Sequence, residues 1–172
     1  MLDTAPMKNL RGHYIGGHWV TPKQRFADIN PSNGSLFAEA PDAGRAEVRA
    51  AIEAAHAAFP AWAQMKFSAR AHLLNRISDV WERRAPEFVA AVQAEGGGWF
   101  GKGMFEVHYV TEVFRSAAAI CYQNSGEVLP SEYGKFSTAV RFPMGVISVI
   151  SPWNFPGILT ARGFAFAMAA GN

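Results

Sequence analysis

Residues 143–156 read PMGVISVISPWNFP, and this run decides the fold because it sets a strand-forming segment, a turn and a helix start side by side. Residues 145–150 form a short apolar run rich in β-branched side chains, the pattern of a strand buried on both faces. Pro152 ends it, since proline has no N–H to give to a ladder. Pro156 suits the first position of a helix, where the missing N–H is not needed, and residues 157–170 continue with a mostly apolar helical pattern. Gly171 is the expected cap at its end. In open α/β sheets ligands sit beyond the carboxyl ends of strands, where a helix N-terminus offers unpaired N–H groups and the positive end of a dipole. Asn154 falls at that place. Its amide is a neutral donor suited to negative charge growing on a carbonyl oxygen. Equally, an Asn here can be buried and spend its side chain on its own turn. Spacing alone leaves both open.

Upstream, the period changes. In residues 126–142 the side chains of Phe136, Thr138, Val140 and Phe142 alternate onto one face of a strand, which pairs with residues 127–131 across a turn at Tyr133, Gly134 and Lys135. An isolated hairpin is marginal in water and needs a partner surface, either its own domain or another chain. Before it, helices dominate. Residues 46–62 place Val48, Ile52, Ala55, Phe59 and Trp62 on one stripe, with Glu47 three residues after Gly44 marking the start. Ser68 caps a second helix that turns Leu73, Leu74, Ile77, Val80 and Trp81 to the core. Pro86 opens a third, with Phe88, Val89 and Val92 inward and Gly96 ending it. A fourth spans residues 104–123, where Phe105, Tyr109, Val113, Ala117, Ile120 and Cys121 recur at helical spacing. Residues 1–12 read as loosely ordered, and 14–20 and 27–31 as short strands around Pro22, Pro31, Asn33 and Gly34.

Several chemical possibilities are weak on context. GGGWFGKG at residues 96–103 spells both GxGxxG and most of a Walker A loop. A helix rather than a strand precedes it, and Gly103 stands where a Ser or Thr would hold magnesium, so it reads as a flexible interhelical loop. Cys121 is the chain's single cysteine. It lies on a helical apolar stripe with no His or cation within a turn to lower its pKa, which marks it as structural. The histidines at 13, 18, 56, 72 and 108 have no metal-ligand spacing with Cys or carboxylates, and no metal site is expected. His108 and Glu106 are two apart in a helix and do not face each other.

Composition bounds the rest. With 172 residues, 49% hydrophobic and 17% charged, the chain is long and apolar enough for one core. A net charge of +2 from scattered basic residues gives no nucleic-acid footprint. One cysteine excludes an intrachain disulfide and fits a reducing, cytoplasmic setting, and MLDTAPMKNL has no apolar core of a secretory signal. Residues 143–161 carry no formal charge, but Pro143, Pro152 and Pro156 split them into strand, turn and helix rather than a membrane span.

The full string PMGVISVISPWNFP closely resembles the PxGVxxxIxPWNFP signature of the NAD(P)-dependent aldehyde dehydrogenases. YIGGHWV at 14–20, NPSNG at 30–34, AFPAW with Phe59 and Trp62, and the closing AAGN at 169–172 resemble that family's N-terminal third in the same order. LPS at 129–131, Gly134, Lys135, Arg141 and SPWNFPGILTARG look most like its aromatic branch, which acts on benzaldehyde or vanillin. Phe164 and Phe166 depart from the family's usual PALAAGN, and EGGG at 95–98 stands where ETGK is usual.

The resemblance implies that Asn154, with the backbone N–H of a cysteine nucleophile, forms the oxyanion hole for a thiohemiacetal. It implies that Ile150, Ser151, Pro152 and Trp153 line the nicotinamide side of an NAD or NADP site that needs no GxGxxG loop. It also implies an α/β architecture in three parts. Residues 1–125 hold extended segments and helices of the cofactor-binding domain, 126–142 a hairpin arm used for homo-oligomer contacts, and 143–172 the first strand–turn–helix of the dinucleotide-binding sheet. The family's nucleophilic Cys and general-base Glu lie beyond position 172. The expectation is therefore a truncated chain: oxidation of an aromatic aldehyde to its acid when complete, and an inactive fragment or assembly module in isolation. With its sheet neighbours absent, the strand at 145–150 is an aggregation hazard, and poor solubility is expected.

Overall fold

Turn chemistry shapes the first elements. In the computed structural model, which describes residues 12–123 and 125–172, strands β1 (His13–Ile15) and β2 (His18–Val20) pair antiparallel. Between them Gly16 and Gly17 sit at φ 59° and 84°, the paired left-handed conformation that a two-residue hairpin loop demands. Strand β3 (Gln24–Ile29) pairs with β4 (Leu36–Asp42) around the NPSNG turn. Sequence periodicity anticipates the end of β3 but not β4, whose LFAEAPD has two acidic residues and a proline; the partner's backbone, not propensity, makes it a strand. The expected looseness of residues 1–12 falls, apart from Gly12, outside the described residues.

Five helices follow: α1 (Arg45–Ala63), α2 (Phe67–Arg83), α3 (Ala85–Gly96), α4 (Phe100–Ile120) and α5 (Pro156–Ala169). The α1 start is the expected one, with the Glu47 carboxylate accepting the Gly44 N–H at 3.0 Å. For α2 the cap position is Lys66, and Ser68 is already inside the first turn with no capping bond. At the end of α3, Gly97 at φ 62° takes the left-handed position instead of Gly96, which is still helical. GGGWFGKG is not a long flexible loop. Only residues 97–99 connect α3 to α4, and Lys102 lies in the first turn of α4.

The core lies where α4 crosses α2 and α5. Leu74, Val110, Phe114, Ala117, Ala161 and Ala165 are buried there, and the run of alanines lets the helix backbones come close. Indole and hydroxyl donors complete it: Trp81 Nε1 donates to the Val107 carbonyl at 3.2 Å and Ser78 Oγ to that of Thr111 at 3.2 Å. Of the expected α4 stripe, Val113, Ala117 and Cys121 are buried and Ile120 packs on the core, whereas Phe105 and Tyr109 are on the surface. Val107, Val110, Phe114 and Ala118 widen the inward face beyond that stripe. α1 differs more. No residue of it is buried, and Val48 and Ile52 of its apolar stripe are each 50% exposed.

One further expectation changes. Residues 145–150 form no strand, because a parallel strand requires a ladder partner and none of the described residues supplies one. The sheets present have two strands each. The 126–142 hairpin does form, as β5 (Gly126–Leu129) against β6 (Ser137–Val140) with Gly134 at φ 80° in its loop. It stands off the helices with Val128, Phe136, Val140 and Phe142 exposed. Accessible surface is 12078 Å², against about 8,300 Å² for a compact monomer of this mass. No described helix is long and apolar enough to cross a membrane.

Candidate active site: the Asn154 turn

The extended run before the turn is laid along α5 by two contacts. At its start, Asn172 Oδ1 accepts the N–H groups of Met144 at 2.6 Å and Gly145 at 3.0 Å, while Asn172 Nδ2 donates to the Ala167 carbonyl at 3.1 Å. Gly171, at φ 94°, makes the left-handed bend that brings Asn172 back to this position. Further on, Val149 presses on Gly163, where a Cβ would come within 2.4 Å of Val149 Cγ1. One face of the run thus packs on α5. The other does not, and Ile150 is 95% exposed.

Beyond Ile150 the chain turns. Ser151 Oγ accepts a hydrogen bond from Thr160 Oγ at 2.8 Å, which ties the entry of the turn to the second turn of α5. Pro152 and Trp153 follow on the surface, with Trp153 86% exposed. Asn154 occupies the turn itself and is exposed, and its side chain makes no hydrogen bond to the described residues. The alternatives left by spacing are separated here. Asn154 is neither buried nor engaged by its own turn, and its amide is free to donate outward.

What fixes the turn on its other side is a residue to which the motifs do not point. Glu106, on the second turn of α4, is fully buried. Its Oε2 accepts the N–H groups of Gly157 at 2.8 Å and Ile158 at 3.4 Å, and its Oε1 pairs with Lys102 Nζ at 2.5 Å. These are the first N–H groups of α5 after Pro156, and the cap residue of that helix, Phe155, has no side chain able to satisfy them. The expectation of unpaired N–H groups at this helix start is therefore corrected: a carboxylate of the chain itself occupies the place of an anion. The signal in the sequence is the Lys102–Glu106 spacing of four, which puts an ion pair on one helix face, whereas the Glu106–His108 spacing of two leads nowhere.

Lys102 is committed as well. Its ammonium lies 4.8 Å from the Phe155 ring centre, a cation–π contact, in addition to its pairing with Glu106. Phe105 meets the same ring edge-on, with centroids 6.3 Å apart. Phosphate binding through GGGWFGKG is left without its lysine.

Cys121 is remote from this place. Its thiol lies 3.7 Å from the Ala169 carbonyl and 3.8 Å from that of Ala117, buried at the far end of α5. At 1.5 Å per residue the length of α5 separates it from the Asn154 turn by about 20 Å. Carboxyls displaced from their ordinary values lie on other elements. Asp28 on β3 is raised by desolvation, and Glu95 on α3 by desolvation and then by the charge of Asp28.

Residues 19–172 match the aldehyde dehydrogenase family. A vanillin dehydrogenase from a Pseudomonas species is 39% identical over 156 residues, covering 89% of this chain and 32% of that protein. An NAD(+) benzaldehyde dehydrogenase from Pseudomonas putida is 33% identical over 174 residues, covering 100% of this chain and 36% of that one. Among solved structures, an NAD-dependent benzaldehyde dehydrogenase from Corynebacterium glutamicum superposes with a TM-score of 0.88 at 34% identity, over 94% of this chain and 36% of that chain. The chain spans about a third of the length of the relatives it matches.

Proposed function

Since this chain belongs to the aldehyde dehydrogenase family, we propose that it carries the oxyanion-stabilising turn and part of the nicotinamide face of a site that oxidises an aromatic aldehyde to its acid with NAD or NADP. The observation that carries the proposal is the state of Asn154: exposed, unengaged, and set immediately before a helix start that is held from within. A donor without a competing partner gives up no hydrogen bond when it turns to a carbonyl oxygen on which charge develops. Because the donor is a neutral amide, it works over a wide pH range.

The cofactor's fit is tested by the same surface. Ile150 and Trp153 are almost fully exposed beside Pro152, an apolar ledge of the kind that takes a flat ring. Bound there, a nicotinamide would accept hydride from the aldehyde carbon. The N–H groups of Gly157 and Ile158 are spent on Glu106, so they are not the groups that hold a pyrophosphate. Ser151, anchored by Thr160, keeps the ledge at a fixed height over α5. The nucleophile is not Cys121, whose thiol is buried at the other end of α5. The 172-residue chain by itself is accordingly inactive.

The exposed β5–β6 hairpin fits an arm that adds to another copy of the same polypeptide, since Val128, Phe136 and Val140 are largely exposed on it.

The test is a chimera in which residues 19–172 replace the matching third of the vanillin dehydrogenase. Reduction of NAD or NADP with vanillin, benzaldehyde and salicylaldehyde is followed by absorbance. Asn154→Ala is expected to lower kcat by about 10²–10³ with a smaller change in KM; a variant within twofold of its parent would end the oxyanion assignment. For the 172-residue chain alone, NAD(P) reduction above a protein-free control that Cys121→Ser abolishes would overturn the claim of inactivity.

A further inference from the structure

We infer that Glu106 is a positioning residue for the Asn154 turn: from α4 it holds the start of α5 and so fixes the backbone from which the Asn154 amide projects. The inference rests on the oxyanion assignment of Asn154 and adds the group that makes it effective.

Carboxylates are almost never fully buried unless paired, and Glu106 has no exposed surface at all. Each of its oxygens is used. One takes Lys102, and the other takes the two N–H groups that follow Pro156. The sequence around the turn is built to admit it. Pro156 removes one N–H from the helix start, leaving the next two in reach of a single oxygen. Gly157 leaves the space: a Cβ there would stand 3.2 Å from Glu106 Oε2 and 2.7 Å from the Phe88 ring.

The same turn of α4 also grips the residue on the other side of Pro156. Lys102 lies over the Phe155 ring and Phe105 packs against its edge. Residues 155, 157 and 158 are thus all held by Lys102, Phe105 and Glu106, while Asn154, one step earlier, has no side-chain tether. For an amide without a tether, the position of its backbone sets the region that it can reach. That backbone is fixed by Glu106 on one side and by the Ser151–Thr160 bond on the other. Misplacing a catalytic donor by about 1 Å from a site remote from the chemistry can cost about 10²-fold in rate.

Two readouts separate this role from general support of the fold. In the full 172-residue chain at micromolar concentration, hydrogen exchange read by mass spectrometry is compared for the parent, Glu106→Ala and Glu106→Gln. Peptides covering residues 151–162 are expected to exchange at least about tenfold faster in both variants, while peptides from α2 and the middle of α4 keep their protection. The isosteric Gln retains volume but sets an amide against either Lys102 or the Gly157 N–H, so it serves where Ala does not fold. In the chimera, Glu106→Gln is expected to lower kcat about tenfold or more with KM within about threefold. Introduced into an Asn154→Ala background, the same change should lower kcat by less than about twofold, because the group it positions is gone. Equal kcat losses in both backgrounds, or exchange in 151–162 within twofold of the parent, would overturn the inference. If Asn154→Ala alone leaves kcat unchanged, the oxyanion assignment fails; hydrogen exchange then still decides whether Glu106 fixes the turn.

Discussion

α1 and α4 carry the same kind of sequence and meet opposite fates. Each presents apolar side chains at helical spacing over about five turns. Along α4, nine residues from Gly103 to Ala118 are buried against α2, α3 and α5, and its two polar interior groups, Glu106 and Thr111, both have partners. Along α1 none is buried, and the helix is held at its ends, by Glu47 at the start and by Arg70 at the finish, whose guanidinium bonds the carbonyls of Trp62, Ala63 and Met65. Periodicity shows that a face is apolar. It does not show whether a neighbour covers it.

The largest difference between the two helices is expected in the core. Phe114→Ala removes a ring buried at 3% exposure and packed on Phe164, and is expected to cost about 3–5 kcal/mol in denaturant unfolding. Ile52→Ala on α1 is expected to stay within about 0.5 kcal/mol. A matching loss at Ile52 would mean that α1 is covered after all.

A smaller effect is expected where the run before the turn is tethered. Asn172→Ala deletes the oxygen that accepts the Met144 and Gly145 N–H groups and should cost about 1 kcal/mol. Its signature is local: faster hydrogen exchange at residues 144–150 with the α2–α4 core unchanged. Unchanged exchange there would show that Val149 on Gly163 is sufficient to hold the run.

Solubility tests the exposed side without touching stability. Val48→Glu with Ile52→Lys breaks the uncovered stripe of α1 and is expected to raise the concentration at which the chain remains monodisperse by light scattering, with an unfolding midpoint close to that of the parent. A chain already monodisperse at high concentration would argue against α1 and residues 145–150 as an aggregation hazard.

The smallest effect is electrostatic. Burial, and then the nearby charge of Asp28, raise Glu95 above its ordinary value of 4.5, so the folded state binds its proton more tightly than the unfolded one. Stability then falls as pH rises from 4.5 through the raised folded value, and the penalty is fully present above it. Glu95→Gln should raise the melting temperature slightly at pH 7 and change it least below pH 4.5. The opposite order would show that the Glu95 charge is favourably paired in the fold.

Much of the fold is legible in the sequence. Glu47 after Gly44 starts α1, Pro86 opens α3, and Gly134 turns the β5–β6 hairpin, whereas residues 14–20 divide into two strands at Gly16 and Gly17. Those signals are local, set by φ preference and by the N–H groups that a helix start leaves unpaired. The misses at Ser68 and Gly96 are local, a shift of one or two residues at a helix end. β4, the added inward residues of α4, the exposed Val48 and Ile52 of α1 and the unpaired run 145–150 instead depend on a partner distant in sequence.

The candidate site divides in the same way. Sequence by itself determined that an amide would stand in a turn between an extended run and a Pro-started helix, because PMGVISVISPWNFP permits little else at Pro152 and Pro156. That Asn154 is exposed with no side-chain hydrogen bond to the described residues, and that the helix start behind it is closed by Glu106 from 51 residues upstream, follows from the packing of α4 on α5. The physical reason is distance along the chain. A backbone preference acts over a few residues, whereas a buried carboxylate finds its two N–H partners only after α4 and α5 have packed.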